Sequence, residues 1–418
     1  MVSLCFYFHV HQPRRLRKFS VFEIGQGKTD YYDEGKNLAI LEKITKKCYI
    51  PMNNLIMSLI KRYNFKASFS FSGVVLEQLE RHFPEVIQSF QELVNTGNVD
   101  IVDETYYHSL AFLYSKEEFK RQILMHRAKI KSLFKKTPVV FRNTELIYSN
   151  ELAKLAEEMG YKGVLAEGAD HVLGWKSPNF LYKPKGTEKI KLLLKNYRLS
   201  DDIAFRFQEK SWKEWPLTVP KYVQWLNAVN GNGHTVNLFM DYETFGEHQW
   251  SSSGIFNFMS ALPEEFLKNP DNNFKTTSEL VRDYEPVGEL DVPYLVSWAD
   301  VERDVSAWLG NRMQQSAAQD LYQLEKPILA TKDKALIEDW RNLQISDNFY
   351  YMCTKWFNDG DVHKYFNPYD TPYDAFITYM NIFNDLMIRL RRKPQRKISL
   401  GEKIRQKRQL KQKEAITE

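Results

Sequence analysis

The sequence predicts an α/β fold, a parallel (β/α)7 barrel followed by a C-terminal helical segment. Three observations predict it. Short β-rich runs alternate with helical patterns through residues 1–241, as βα connections require. There are seven such runs, more than an open doubly wound sheet with four central strands needs and enough to close a barrel. Beyond about Pro270 helical patterns dominate, with VPYLVSWAD the one short strand-like exception.

The first run is VSLCFYFH (Val2–His9), and it meets HQP and then Arg14. KASFSFS (Lys66–Ser72) follows the helix-like PMNNLIMSLIKRY, and NVDIV (Asn98–Val102) follows FPEVIQSFQELVNTG, where Gly97 is a helix stop. PVVFRNTE (Pro138–Glu145) closes a long helical stretch from Ser115 to Lys136. KGVLAEG (Lys162–Gly168), KIKLLLKN (Lys189–Asn196) and HTVNLFMD (His234–Asp241) complete the set. The division expected is a barrel over residues 1–268, a helical segment over 269–392 that completes the site, and a basic tail over 393–418.

The formal charge of +5 suggests a polyanionic partner until it is located. Between Arg389 and Lys413 there are 12 Lys/Arg and one Glu, leaving 46 basic against 50 acidic side chains in residues 1–388. The basic character therefore belongs to the tail, and no nucleic-acid partner is expected. The apolar run at the N-terminus is too short for a signal-peptide core, and no run approaches the ~20 residues of a membrane span. Cys5, Cys48 and Cys353 are odd in number and widely spaced, which fits a reducing compartment. A cytoplasmic protein without a membrane partner is the expectation; the sequence leaves its oligomeric state open.

Catalytic groups of a parallel barrel lie at the carboxyl ends of its strands. Here those ends are loaded with polar residues. The first carries His9, His11 and Gln12, the third Asp103, Glu104 and His108, and the fourth Arg142 and Glu145. The fifth carries Glu167 and Asp170, NYRLSDD follows the sixth, and the seventh runs FMDYETFGEH, with Asp241, Glu243, Glu247 and His248.

Glu145 and Asp241, single carboxylates on strands four and seven, can face one another across a barrel mouth. Two carboxyl groups about 5–5.5 Å apart serve a retaining glycosidase as nucleophile and acid/base. Arg142 is expected to hold the nucleophile ionised, and a more enclosed Asp241 to carry a raised pKa. Taken alone, each acid is more often a salt-bridged surface residue. His9 and His11 point the same way from one strand and suit sugar hydroxyls. Zinc is the competing reading of His-x-His, but no third ligand stands at a diagnostic spacing, so neither a metal nor a cofactor is expected.

The quoted segments resemble glycoside hydrolase family 57, and within it the α-amylase group. HQP (His11–Pro13), GNVDIVDETYYH (Gly97–His108), FRNTEL (Phe141–Leu146), FMDYETFGEH (Phe239–His248) and SWADVERDVSAWLGNRMQ (Ser297–Gln314) are similar to that family's five short regions, in order. Asp100 stands where the family commonly has Glu. The resemblance spans roughly residues 1 to 370. It implies a (β/α)7 barrel and metal-free, retaining cleavage or transfer of α-glucosidic bonds, with Glu145 as nucleophile and Asp241 as acid/base. The substrate implied is an α-glucan or maltooligosaccharide.

His9, His11, Glu104, Arg142, Glu243, His248, Trp298 and Asp300 are the expected substrate-binding residues. Trp298 offers a stacking face; Asp300 and Glu302 read equally as a helix N-cap and first turn. SDNFYYMCTKW and DGDVHKYFNPY (346–369) could wall a further subsite or pack as a helical core. Hydrolysis is the leading expectation and 4-α-glucanotransfer the alternative. A metal-dependent deacetylase would need an aspartate pair on the first strand, which VSLCFYFHVH lacks, and a non-catalytic glycan-binding protein is the third class.

Overall fold

The structure, a computed structural model, describes residues 2–355 and 367–392. The predicted tail over 393–418, and most of DGDVHKYFNPY, lie outside the described residues. All seven predicted runs form strands: β1 (Ser3–Val10), β2 (Ala67–Phe71), β3 (Val99–Ile101), β4 (Val140–Arg142), β5 (Gly163–Glu167), β6 (Lys191–Lys195) and β7 (Thr235–Asp241).

They pair in parallel as two arcs, β3-β2-β1-β7 and β4-β5-β6. At one junction the Asp103 N–H donates to Val140 O (3.0 Å) and the Arg142 N–H to Asp103 O (2.8 Å). At the other, the Asn196 N–H donates to Asn237 O (2.9 Å), and the Asn237 amide reaches back to Leu194 O (2.9 Å). These bonds join the arcs into a (β/α)7 ring.

The period of two along each strand decides what enters the ring. On β1, Leu4, Phe6, Phe8 and Val10 face outward into a core shared with the surrounding helices. Cys5 and Tyr7 face inward with Val140, Leu165, Leu193 and Phe239. One step further along each strand, the inward positions turn polar at His9, Arg142, Glu167, Lys195 and Asp241. The barrel is thus an apolar plug with a charged upper layer. Register keeps that layer level, pairing His9 with Asp241 and Glu167 with Lys195.

Residues past 268, assigned from sequence to the helical segment, in part build the barrel floor. Asn273–Phe274 pairs with Ser3–Leu4, below the point where β2 begins. The helix Thr277–Asp283 inserts Leu280 and Val281 beneath the plug, and its Thr277 N–H donates to Ser68 Oγ (2.9 Å). The sequence pattern hides this because a two-residue strand has no readable period.

Helices between Ser306 and Arg391 form a second core with Leu16, Phe19, Tyr31, Leu110 and Ile147 from loops above the barrel. Buried ties fix it in place. Arg341 Nε donates to Glu118 Oε1 (2.7 Å), Gln122 to Gln344 (2.8 Å), and the Ser346 N–H to His108 O (2.9 Å). The last bond sets the start of the helix Ser346–Tyr350 directly over the barrel mouth.

Candidate active site

The polar layer floors a cavity of about 560 Å³, within the usual range for small-ligand sites. Its lining includes Glu145, Asp241, Glu243, His9, His11, His108, His248, Trp298 and Asp300. Glu145 and Asp241, almost a hundred residues apart in sequence, therefore share one pocket.

Glu145 sits in the tight turn Thr144–Leu146, with φ of +58° at Glu145 and +51° at Leu146. A side chain in that region costs about 1–2 kcal/mol. Of eight such non-glycine residues among the described residues, Asn64, Lys135 and Lys332 cap helix ends, whereas His108, Glu145, Leu146, Asp300 and Arg303 lie in segments at the pocket. Strain is concentrated where a side chain is being aimed.

Three donors from separate segments fix the Glu145 carboxylate. His108 Nε2 lies 3.1 Å from Oε1, Ser346 Oγ donates to Oε1 (2.9 Å), and Trp298 Nε1 donates to Oε2 (2.8 Å). Burial pushes this carboxyl up, but His108, Arg142 and the Trp298 N–H together hold it well below the usual range.

Asp241 ends β7 with 40% of its side chain exposed, and His9 Nδ1 lies 3.3 Å from Oδ1. Burial raises its carboxyl, but His9 and then His248 outweigh burial, so it too lies below the usual range. The raised pKa expected from sequence is corrected here. Asp241 is the less enclosed of the two acids and faces a histidine. On the same strand end, the raised carboxyl belongs to Glu243, pushed up to about 7 by burial and by the charge on Asp241. Glu243 Oε1 accepts from Tyr49 Oη (2.5 Å) and Gln12 Nε2 (3.3 Å). The turn beyond it needs Gly246, where φ is +107° and a Cβ would stand 2.0 Å from Lys47 O.

Two expected substrate contacts are not in the lining. Glu104 and Arg142 are fully buried beneath it. Arg142 was expected beside Glu145; instead its Nη1 lies 3.5 Å from Glu104 Oε2, from His9 Nε2 and from His108 Nδ1. Its charge still reaches Glu145 through space, and its guanidinium lies 5.0 Å from the Trp298 ring centroid.

His9, Glu104 and His108 also supply the third potential ligand that the sequence did not reveal, since their donor atoms lie within 4.8 Å of one another. The same three atoms all face Arg142 Nη1, so a guanidinium already neutralises the position a cation would take. The donor set present fits an ion-pair cluster rather than a metal centre.

His11 is held at both nitrogens, with Nδ1 2.6 Å from Ser72 Oγ and Nε2 2.9 Å from Asp347 Oδ2. It presents its ring rather than a free nitrogen to the pocket. Burial, and next the charge of His108, lower its pKa to about 4, so it is neutral. Its ring and that of His9 flank the His108 ring at centroid distances of 4.2 and 4.7 Å. Asp300 lines the pocket and pairs with Lys355 Nζ (3.3 Å); it lies in a left-handed turn, and the next helix begins at Ser306, so the N-cap reading fails. Glu247 turns away to pair with Lys43, while His248 stays in the lining.

A second charged group forms another wall. Lys195 Nζ donates to Asp201 Oδ1 (3.0 Å), and Arg303 lies 3.3 Å from Asp201 Oδ2 and 3.5 Å from Glu167 Oε2. Ser346, Asp347 and Arg303 come from the helical segment. Their stretches, SDNFYYMCTKW and SWADVERD, were noted in the sequence, but nothing local singled out these three residues within them.

The charged mouth of this parallel barrel holds two carboxylates, one fixed and one partly exposed, the residue types used by the class of enzymes that act on glycosidic bonds. The chain belongs to that class through glycosyl hydrolase family 57, whose family model matches residues 5–293. It is 45% identical over 398 residues to a protein of Methanocaldococcus jannaschii named putative alpha-amylase, covering 91% of this chain and 83% of that one. An alpha-amylase of Pyrococcus furiosus is 24% identical over 61% of this chain and 38% of its own length.

Among solved structures, the 4-alpha-glucanotransferase of Thermococcus litoralis superposes with a TM-score of 0.65 at 17% identity, over 92% of this chain and 59% of that one. A branching enzyme of Thermococcus kodakaraensis gives 0.64 at 15%, over 93% and 89%. These two likenesses establish the fold. No helix among the described residues is long and apolar enough to cross a membrane.

Proposed function

We propose that this protein is a retaining α-glucan hydrolase of the α-amylase type, endo-acting, with Glu145 as nucleophile and Asp241 as acid/base. The observation that carries the reading is the shared pocket in which each acid meets a different ring of one histidine stack. Glu145, ionised and immobilised by three donors, attacks the anomeric carbon. Asp241 gives its proton to the departing glycosidic oxygen. A sugar covering the exposed side of Asp241 removes solvent from it and raises its proton affinity, which suits the first step. Water, deprotonated by the Asp241 carboxylate, then releases the sugar with its α configuration retained.

Support for the substrate class comes from the relatives named alpha-amylase. Exposed Phe205 and Val301 in the pocket lining offer apolar rim surface to a chain longer than one sugar.

Transfer to a second glucan is the alternative, and the 22% identity to the Thermococcus litoralis 4-alpha-glucanotransferase over 61% of this chain keeps it in view. Incubation with a single maltooligosaccharide separates the two. Shorter products first formed as α-anomers in proton NMR support retaining hydrolysis. Products longer than the substrate favour transfer, and a first-formed β-anomer overturns double displacement. An early fall in the viscosity of soluble starch, ahead of reducing-end release, tests the endo mode.

A further inference from the structure

The two acids are linked by an unbroken chain of polar contacts that leaves the pocket and returns to it. From Glu145 Oε1 it passes to His108 Nε2 (3.1 Å), and from His108 Nδ1 to Glu104 Oε2 (3.1 Å). The same Glu104 oxygen lies 3.4 Å from His9 Nε2, and His9 Nδ1 lies 3.3 Å from Asp241. Arg142 Nη1 adds a positive charge 3.5 Å from that oxygen, from below.

We propose that Glu104, which lies outside the pocket lining, is a positioning residue that couples the two catalytic carboxylates by fixing the protons of His108 and His9. This rests on the assignment of Glu145 and Asp241 given above.

The argument is one of donors and acceptors. Both nitrogens of His108 face carboxylate oxygens, so both carry hydrogen and the ring is an imidazolium. Burial opposes that charge, but Glu104 and Glu145 raise His108 to about 9. At His9, Glu104 takes the Nε2 hydrogen and leaves Nδ1 toward Asp241. That nitrogen accepts a hydrogen bond from Asp241 when the acid is protonated. When the ring carries a second proton it donates to the carboxylate. It therefore has a partner in both states through which an acid/base residue cycles.

Charge closes as well: Arg142 and His108⁺ balance Glu104⁻ and Glu145⁻. The other groups facing this cluster are His11 on the strand end, Asp347 and Ser346 from the helix start, Trp298, and His126, whose Nδ1 lies 3.4 Å from the Glu104 nitrogen but donates to Asp103, as its Nε2 does to Phe71 O (2.6 Å). His11 and Asp347 already satisfy each other, which leaves Glu104 as the counter-charge to His108 on the side away from Glu145.

Glu104→Gln is near-isosteric and removes only the charge. His108 then loses its second carboxylate, Glu145 loses a full cation, and the acidic limb of kcat/KM moves up by about one pH unit or more. The loss falls on kcat, about ten-fold or more, with KM within about two-fold of wild type. Glu104→Asp, which keeps the charge, recovers part of the limb position.

A folded Glu104→Gln enzyme with a wild-type pH profile overturns the coupling. So does a loss confined to KM. Uniform ¹⁵N-histidine labelling of the wild-type enzyme at pH 8 tests the same claim with Glu104 in place. A signal assigned to His108 by its loss in His108→Asn that shows both nitrogens protonated supports it, and a neutral His108 ring overturns it; His126, held between Asp103 and Phe71 O, is a second ring expected to carry both protons. Glu145→Gln measured alongside separates the readings: an inactive variant with an unshifted Glu104→Gln profile rejects only the coupling, whereas an active one rejects double displacement itself.

Discussion

Glu145 and Asp241 share one pocket and one histidine stack, yet they are held in opposite ways. Glu145 is 15% exposed in its side chain, strained in its backbone and bonded by donors from three segments. Asp241 is 40% exposed, extends from a regular strand, and faces one imidazole on one of its oxygens. The difference matches what each would do. A nucleophile benefits from a fixed, ionised oxygen at a set position, which burial among donors supplies. An acid/base residue has to exchange protons with the leaving group and with water, and that requires an open side.

The sharpest way to break the comparison is Glu145→Gln. Turnover should fall on the order of 10⁴-fold or more on every substrate, because the proposed nucleophile is removed. Steady-state rates on starch and on an aryl α-maltooligosaccharide check it. Asp241→Asn should cost roughly 10²–10⁴-fold on starch. It should cost much less for glycosylation by the aryl substrate, whose leaving group needs no proton, and added azide should speed release. Equal losses on both substrates would erase the distinction between the two acids.

Trp298→Phe keeps an aromatic face but removes the indole N–H that donates to Glu145 Oε2. A charge-assisted bond of about 1.5–3 kcal/mol predicts a fall in kcat/KM of roughly 10–100-fold. The acidic limb should rise with it, since that donor helps keep Glu145 ionised.

The smallest effect concerns stability. Glu243 is raised from the ordinary carboxylate value to about 7 by burial and by Asp241. The folded state thus holds its proton more tightly than the unfolded chain. Stability from this group is fully present below about pH 4.5 and is lost as pH rises through 7, by up to about 3 kcal/mol. Glu243→Gln should flatten the fall in thermal midpoint between pH 5 and 8. An unchanged slope would mean another group carries it.

Much of this arrangement was legible in the residues. The seven strands stood out because outward positions such as Phe6, Phe8, Leu192 and Leu194 keep each run apolar up to a polar end. The barrel rule then turned those ends into candidates, and Glu145, Asp241, His9 and Glu243 all line the pocket, as does Trp298, read from SWADVERD as a stacking face.

What stayed hidden depended on distant contacts. Ser346 and Asp347 fall in a stretch that read equally as subsite wall or helical core until the barrel brings Glu145 and His11 to them from more than 200 positions away. Arg142 was paired by proximity in sequence with Glu145, whereas the strand pleat directs it inward and under the histidines. The proton affinity of Asp241 was misjudged for a related reason. His9, with help from His248, outweighs burial there, and His9 comes from a strand more than 200 positions away.

The central claim is that Glu145 carries the glycosyl group between the two steps. Incubating the enzyme with a 5-fluoro-α-glycosyl fluoride and mapping the adduct by peptide mass spectrometry tests it most directly. The account predicts one added glycosyl unit on the peptide containing Glu145, and none in Glu145→Gln. An adduct on Asp241 or elsewhere would contradict it, as would turnover of natural substrate that leaves no trapped intermediate and gives inverted product.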